Sequence, residues 1–379
     1  MFMTDRVSDS PLVNIHQVFQ LSTYGVKQEQ VSYPRVTMAS HRWVCCRHSS
    51  KKKKKDNCIT AINLTRKTPR PLTWPCIADS AMMNPRKPWL ALKVGRHFQV
   101  FNIVAEKQLF RCTVKDNVQY WTWINDDIIG MVGSKFVYHW DLSPPGDSGL
   151  QKVFERHMKL SCSQIVAYKA DPSCKWFALV GLYKDFDNES DESNYVSGVA
   201  QIHCIENQCC QCIDAQAVTF TSYRRSDNQK PTSILCLANR SPAQQGKIHI
   251  IELGPHISGN TALSSFTEQL YFDETDRYDF PVSIQVCPTY GLVYVLTKYG
   301  HVKVCDIESA QHLCSARASP LTIFTAVPDT EGKKVIGIDR CGKLLSIGVA
   351  EKALINHVQA NLKRPAIATR LKQSMFPPE

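Results

Sequence analysis

One two-strand pattern recurs seven times along this 379-residue chain. Its clearest copy runs from Trp89 to Val104, where an apolar run, a polar turn at Gly95 and an alternating apolar run follow one another. Period-two alternation is typical of half-buried strands, and the short polar break predicts a hairpin. The other copies are His41–Leu64, Asp127–Leu142, Trp176–Glu206, Ser233–Leu253, Gly291–Ile307 and Lys334–Ala350.

Sheet modules that recur every ~40–50 residues indicate a β-propeller, in which each blade buries its faces against its neighbours. Seven copies therefore predict an all-β fold, a seven-bladed β-propeller that occupies residues 1–350 and closes into a ring. The prediction rests on repetition, because a single copy could belong to many kinds of sheet.

The pattern changes to helical spacing after residue 350. Leu354, Val358 and Leu362 would share one helix face, and Pro365 suits the first turn of a second helix. We expect a short α-helical linker over residues 351–379, similar to the start of a helical solenoid. One solenoid repeat has no neighbours to cover its apolar faces, so it should be weakly ordered unless it docks.

Composition suits a globular protein, with 43% hydrophobic and 21% charged residues. The N-terminus lacks the basic and apolar regions of a signal peptide, and no apolar run approaches the ~20 residues of a membrane span. We therefore expect a soluble cytosolic protein. Its 16 cysteines should then be reduced, and several lie inside predicted strands as small buried apolar residues.

Neither a metal site nor a catalytic site is predicted. The run Cys209–Cys212 contains a CxxC, and Cys45, Cys46 and His48 are further candidate zinc ligands, but no second CxxC follows at zinc-ribbon spacing. The chain has no GxSxG, P-loop, HExxH or GxGxxG motif and no defensible acid–base pair. We expect no cofactor, no small-molecule substrate and no enzymatic activity.

Two charged segments interrupt the repeats in a chain of net formal charge +11. The run Lys51–Lys55 separates the strands of the first copy and is expected to form a solvated loop, with weak contact to anionic lipid or nucleic acid as the alternative. The acidic, serine-rich residues 184–194 separate the strands of the fourth copy. They are expected to form a flexible surface loop.

Several longer motifs occur in one order across nearly the whole chain. They are ADSAMMNP at Ala78–Pro85, FQVFNI at Phe98–Ile103, YWTWI at Tyr120–Ile124, VYHWDL at Val137–Leu142, GKIHIIELG at Gly246–Gly254, DFPV at Asp279–Val282, LTKYGHV at Leu296–Val302 and GIDRCGKLLSIGV at Gly337–Val349. In these motifs the sequence resembles the amino-terminal domain of the clathrin heavy chain. The resemblance implies a seven-bladed propeller followed by an α-zigzag linker, and a hub for short peptides of adaptor proteins.

The resemblance implies a groove for clathrin-box peptides between the first two blades. Positions that match its apolar and amide lining are Leu72, Leu90, Gln99, Phe101 and Ile103. By periodicity alone, Leu90, Phe101 and Ile103 would be blade core, and the resemblance favours a binding role instead.

The charged half of this groove departs from the family. Trp74 stands where the family carries an arginine, and Glu106 and Gln108 stand where it carries lysines. Lys107 lies between them, and strand alternation would send its side chain to the other face. We therefore expect the apolar half of the site to be kept and its basic half to be largely lost.

The resemblance implies two further peptide sites. An arrestin-type groove between blades four and five matches at Trp176, Gln211 and Ile213, with Asn207 where the family has an arginine. A central top pocket for tryptophan-type peptides matches at Tyr33, Gln164, Val166 and Leu182. Core packing is an equally good interpretation of Trp176, whereas a core role is harder to defend for the amide of Gln164.

Three functions follow from these observations. The first is an adaptor-binding propeller in coated-vesicle traffic, peripheral on coated pits and vesicles of the plasma membrane and the trans-Golgi network. The second is a structural coat subunit, as a piece of a longer heavy chain, and the third is a basic propeller that contacts lipid or RNA. Because the family's leg and trimerisation hub lie outside the matched region, we expect a monomer that forms no lattice by itself.

Overall fold

A computed structural model describes residues 11–49, 57–66, 70–143, 149–184, 195–241, 245–263 and 265–377. The run Lys51–Lys55 and nearly all of the acidic segment 184–194 lie outside these described residues.

The described residues form seven antiparallel sheets of four strands each, so the predicted seven-bladed propeller is confirmed. Blades one to six take their strands consecutively, from β2–β5 to β22–β25, and blade seven combines β26–β28 with β1. The strands are β1 (Val13–Gln20), β2 (Val36–Ser40), β3 (Trp43–Ser49), β4 (Asn57–Asn63), β5 (Pro71–Pro75), β6 (Ser80–Met83), β7 (Trp89–Val94), β8 (His97–Asn102), β9 (Lys107–Thr113), β10 (Tyr120–Trp123), β11 (Ile128–Val132), β12 (Phe136–Asp141), β13 (Leu150–Glu155), β14 (Gln164–Ala170), β15 (Trp176–Lys184), β16 (Val196–Cys204), β17 (Cys209–Asp214), β18 (Ala217–Tyr223), β19 (Thr232–Asn239), β20 (Gly246–Leu253), β21 (Phe266–Leu270), β22 (Pro281–Cys287), β23 (Leu292–Thr297), β24 (His301–Asp306), β25 (His312–Arg317), β26 (Ile323–Pro328), β27 (Val335–Asp339) and β28 (Lys343–Val349).

The seven repeated hairpins are the second and third strands of the seven blades. These strands lie in the middle of each sheet and are buried on both faces, as β23 and β24 show in blade six. The fourth strands are more exposed, since β9 and β17 contain no fully buried residue. The repeat is therefore clearest where burial is greatest.

The ring closes through the N-terminal strand. β1 pairs antiparallel with β28, and the register places Val13 opposite Val349 and Ile15 opposite Ile347. Val13, Ile347 and Val349 join one core with residues of blade six. The chain therefore supplies the fourth strand of its last blade from its own beginning.

The meander of four strands gives the ring two distinct faces. Turns between the second and third strands, and the connections between blades, lie on one face, which we call the open face. The remaining turns and the helices that follow β28 lie on the other, which we call the linker face.

The C-terminal segment docks on the linker face. Helix α1 (Glu351–Asn356) continues through a π-helical turn (His357–Asn361), and helix α2 (Pro365–Met375) follows. Leu354, Val358 and Leu371 are fully buried in the core of blades six and seven. Burial of these side chains supplies the neighbour that an isolated solenoid repeat lacks.

Arg370 joins α2 to blade six through a mostly buried ion pair. Its guanidinium donates to the carboxylate of Asp306, whose side chain is only 1% exposed, and to the carbonyl oxygen of Tyr290 at 3.0 Å. Glu308 lies 3.9 Å away and accepts a hydrogen bond from the hydroxyl of Tyr223 at 2.7 Å. The network ties the helical segment to the ends of strands β18 and β24.

Arg370→Ala should destabilise this docking, because it leaves the buried carboxylate of Asp306 without a cation. Removing one partner of a buried ion pair costs about 3–5 kcal/mol. We expect a lower midpoint of urea unfolding and faster proteolysis of α2. The exposed neighbour Lys372 on the same helix provides the control, since Lys372→Ala should leave both unchanged. Equal behaviour of the two variants would contradict the assigned role of Arg370.

Acid should destabilise the propeller through its buried histidines. His139 shares a 2.7 Å hydrogen bond with the hydroxyl of Tyr168, and burial lowers the pKa of its imidazole to about 4. The unfolded chain binds this proton near pH 6.5 whereas the folded chain does not, so the unfolding free energy should fall as the pH drops from about 6.5 to about 4.

The expected slope is at most about 1.4 kcal/mol per pH unit for such a histidine. Urea unfolding at several pH values measures it, and His139→Gln should reduce the slope. The exposed His97 serves as a control, because His97→Gln should keep the slope of the unmodified protein.

Candidate functional site

A groove of about 370 Å³ separates blades one and two. Its walls are mostly apolar, and the described residues that line it are Ile59, Trp74, Pro75, Cys76, Leu90, Leu92, Phe101, Asn102, Ile103 and Glu106. Burial raises the pKa of the Cys76 thiol, so this thiol is uncharged at neutral pH. The groove offers apolar contact surface rather than reactive groups.

The strand register places side chains of blades one and two on the faces that line the groove. In blade two, Leu90 lies opposite Phe101, and in blade one Ile59 lies opposite Trp74. Directly opposite residues of an antiparallel pair share a face of the sheet. Ile59 and Leu90 form the buried floor, whereas Trp74, Phe101 and Ile103 are only partly buried against the same core.

The structure brings five of the nine positions matched to this groove into its lining: Trp74, Leu90, Phe101, Ile103 and Glu106. Gln99 lies opposite Leu92 on the same face of blade two, although it does not line the groove itself. Leu72 lies two residues before Trp74 on β5 and is 43% exposed. Both residues extend the same face beyond the groove.

Gln108 and Lys107 lie on opposite faces of β9. Gln108 is opposite Phe101, and Lys107 is opposite Asn102. Since neighbouring residues of a strand point to opposite faces, the register turns Lys107 away from the face that carries Phe101. Among the described lining residues, Glu106 is the only charged one, and it occupies a left-handed backbone conformation (φ 50°) in the turn before β9.

Sequence reasoning missed five lining residues, which are Ile59, Pro75, Cys76, Leu92 and Asn102. Ile59 and Leu92 lie in alternating runs, and nothing in those runs indicates which neighbouring sheet the strand faces. Only the register of β4 with β5 and of β7 with β8 identifies their faces.

Comparison with known proteins identifies the relatives of this chain. No family model matches it. Clathrin heavy chain 2 of Homo sapiens is 31% identical over 359 residues, and the clathrin heavy chain of Drosophila melanogaster is 32% identical over the same length. Over nearly its whole length, this chain is similar to the clathrin heavy chains. The matches cover 95% of the chain and 21% of each of these two relatives, so the clathrin-like chain spans about a fifth of their length.

A probable clathrin heavy chain of Schizosaccharomyces pombe is 30% identical over 359 residues and is likewise matched over about a fifth of its length. None of the described helices of the clathrin-like chain is long and apolar enough to span a membrane.

The second clathrin-type position, between blades four and five, has its matched residues on one face. Gln211 is opposite Ile202, Ile213 is opposite Ala200, and Ile202 and Ala200 face blade five. Trp176 and Ile213 pack partly buried against this core. Asn207 lies in the turn before β17, where its side-chain oxygen accepts a hydrogen bond from the backbone of Cys209 at 3.4 Å.

Three of the four residues matched to the central top pocket lie on blade four. Gln164 is opposite Leu182, and a β-bulge leaves Val166 unpaired between Ile165 and Ala167. Gln164 is exposed, so its amide needs no buried partner. The fourth residue, Tyr33, is 41% exposed and stacks on Tyr120 of blade three with ring centroids 5.3 Å apart.

The candidate zinc cysteines lie in different blades. Cys45 and Cys46 are on β3, whereas Cys209–Cys212 belongs to β17. A cluster that sequence reasoning did not single out, Asp276, Asp279 and His301, has its ligand atoms within 4.8 Å of one another. His301 lies 3.0 Å from the carboxylate of Asp276, and Asp279 accepts backbone hydrogen bonds, which gives the cluster a structural role within blade six.

The resemblance predicts a site for tryptophan-type peptides at the central position, and Val166→Asp should then abolish their binding, because it places an unpaired charge beside apolar surface. Isothermal titration measures the loss, and circular dichroism verifies the fold. Val104, which is exposed on the linker face, provides the control substitution Val104→Asp. Unchanged affinity of a folded Val166→Asp variant would show that this residue does not belong to a peptide site.

Proposed function

We propose that this clathrin-like propeller binds short linear motifs of endocytic and sorting adaptors in its inter-blade grooves. The activity would serve clathrin-coated vesicle formation and intracellular protein transport, on the cytoplasmic side of coated pits and vesicles. The propeller over residues 1–350 would present the grooves, and residues 351–379 would form the start of the linker. The apolar groove between blades one and two is the observation that carries the proposal.

An extended peptide suits this groove for a physical reason. Its alternate side chains would reach the apolar floor while its backbone remains near the rim. Each fully buried leucine would contribute about 1.5–3 kcal/mol before the cost of ordering the peptide. The amide of Gln99, on the same face, can both donate to and accept from a peptide backbone. These contacts require binding groups and no catalytic group.

The altered charges should weaken clathrin-box peptides that end in acidic residues. Exposed ion pairs contribute roughly 0.2–1 kcal/mol each. Trp74 and Gln108 supply no cation, and Glu106 would repel a carboxylate at the groove. The combined loss is about 1–2 kcal/mol, which is roughly a tenfold rise in the dissociation constant relative to a site with three basic residues.

Isothermal titration with a leucine-rich clathrin-box peptide tests the proposal. Phe101→Ala should remove binding, because it empties an apolar slot, whereas Val104→Ala on the neighbouring exposed turn should not. The double change Glu106→Lys with Gln108→Lys should raise affinity for an acidic peptide about tenfold, and added salt should reduce this gain. The proposal fails if the Phe101→Ala variant binds as well as the unmodified protein. Light scattering of the same samples tests the alternative, a self-assembling coat subunit.

A further inference from the structure

The open face carries a regular set of basic residues. The blade-one turn holds Lys51–Lys55 with Asp56, and the blade-four turn is acidic in sequence. Each of the other five turns between second and third strands contains one lysine or arginine and no carboxylate in its sequence. These residues are Arg96, Lys135, Arg240, Lys298 and Arg340. Turns of the linker face differ, because they include acidic residues such as Asp126, Asp171, Asp227 and Glu331.

Cations concentrate on one sector of the open face, formed by blades seven, one, two and three, whereas Arg240 and Lys298 lie outside it on blades five and six. Five of them are exposed there: Arg35, Arg96, Lys115, Lys135 and Arg340. Within the described part of the chain, none of these five takes part in a salt bridge. Their charge is therefore available to an external partner.

Three carboxylates of this sector are engaged by neighbouring groups, and the exposed Glu155 at the end of β13 lies beside Lys135. Asp116 accepts a hydrogen bond from the hydroxyl of Ser134 at 2.6 Å, and Asp79 accepts one from the backbone of Gly95 at 2.6 Å. Glu29 pairs with Lys27 at 3.6 Å. The acidic residues Asp273 and Glu274 lie apart from this sector, between blades five and six.

Apolar side chains are exposed on the same face. Ile77 and Met158 are 81% and 80% exposed, and both lie in connections between blades. Leu321 and Val94 are also exposed there. Solvated apolar side chains among cations are typical of surfaces that rest on the headgroup region of a bilayer.

We propose that this sector, defined by Arg35, Arg96, Lys115, Lys135, Arg340 and the exposed Ile77, docks on an anionic phospholipid membrane. The cations attract the headgroups, and the apolar side chains enter the interface. The helices dock on the linker face, so among the described residues the C-terminal segment does not cover this surface. The proposal does not depend on peptide binding, because the groove and this sector use different residues.

A membrane fits the arrangement better than a nucleic acid does. The cations are distributed over several blades of one face instead of following a single groove, and single-stranded nucleic acids require a tracking groove with stacking aromatic rings. Each basic residue near an anionic bilayer contributes about 1 kcal/mol, so a sector of this size gives measurable, salt-sensitive binding.

Vesicle flotation with the full chain tests the proposal. Vesicles of phosphatidylcholine with about a quarter phosphatidylserine should bind the protein, whereas pure phosphatidylcholine should not. The triple change Arg96→Glu, Lys135→Glu and Arg340→Glu should lower vesicle partition at least about tenfold. Arg66→Glu, Arg224→Glu and Lys230→Glu form the matched control, since these exposed residues on the linker face change the net charge equally.

Three further measurements separate the sources of binding. Ile77→Ser with Leu321→Ser should weaken the binding that persists at high salt, and Val104→Ser should not. Replacing Lys51–Lys55 by serine should weaken the binding without abolishing it, because the five cations of the sector remain. The proposal is overturned if the two triple variants lose binding equally, if the serine replacement alone removes binding, or if single-stranded RNA binds more tightly than the anionic vesicles.

Discussion

The pairing of β1 with β28 is the constraint on which the rest of this molecule depends. Each blade is a twisted sheet that cannot bury both faces alone, and its neighbours cover them only if the ring is closed. Val13 and Ile15 achieve closure by pairing with Val349 and Ile347 across the whole sequence. Every groove between blades depends on this closure, because a groove requires two neighbouring sheets at a fixed separation.

Closure also determines where the helical segment lies. β28 is an inner strand of blade seven, so the chain leaves the ring on the linker face beside blade six. There Leu354 and Leu371 enter the core, and Arg370 neutralises the buried Asp306. The charged pair favours one position of the helix, since a position that removes Arg370 would leave the buried carboxylate of Asp306 without a cation. The described helices therefore leave the opposite face uncovered.

One structural rule produces both the core and the candidate peptide groove. Successive side chains of β8 point to opposite faces of blade two. Phe98 and Val100 therefore face blade three, whereas Phe101 and the nearby Ile103 face blade one. The first set is sealed by Trp121, whose ring meets Phe98 edge-on at 5.5 Å. Phe101 and Ile103 are only partly covered by blade one. Core and groove therefore contain similar apolar residues and differ in how completely the neighbouring blade covers them.

Hydrophobic alternation and its repetition in the sequence were sufficient to predict the all-β class, the number of blades and the helical end. These features depend on local periodicity, which a strand or helix expresses without its partners. The family resemblance also placed Trp74, Leu90, Phe101, Ile103 and Glu106 near one another, and all five line the groove. Periodicity alone could not distinguish these groove residues from core residues. Alternation indicates that one face of a strand is apolar, but it does not indicate whether a neighbouring blade covers that face.

The tertiary structure decided what depends on distant segments. It determined that β1 completes blade seven, that Ile59 and Leu92 join the groove, and that the C-terminal helices dock. It also collected Arg96, Lys135 and Arg340, which are far apart in sequence, on one face. These features arise from strand register and ring closure, and both are set by contacts between residues that local sequence patterns do not connect.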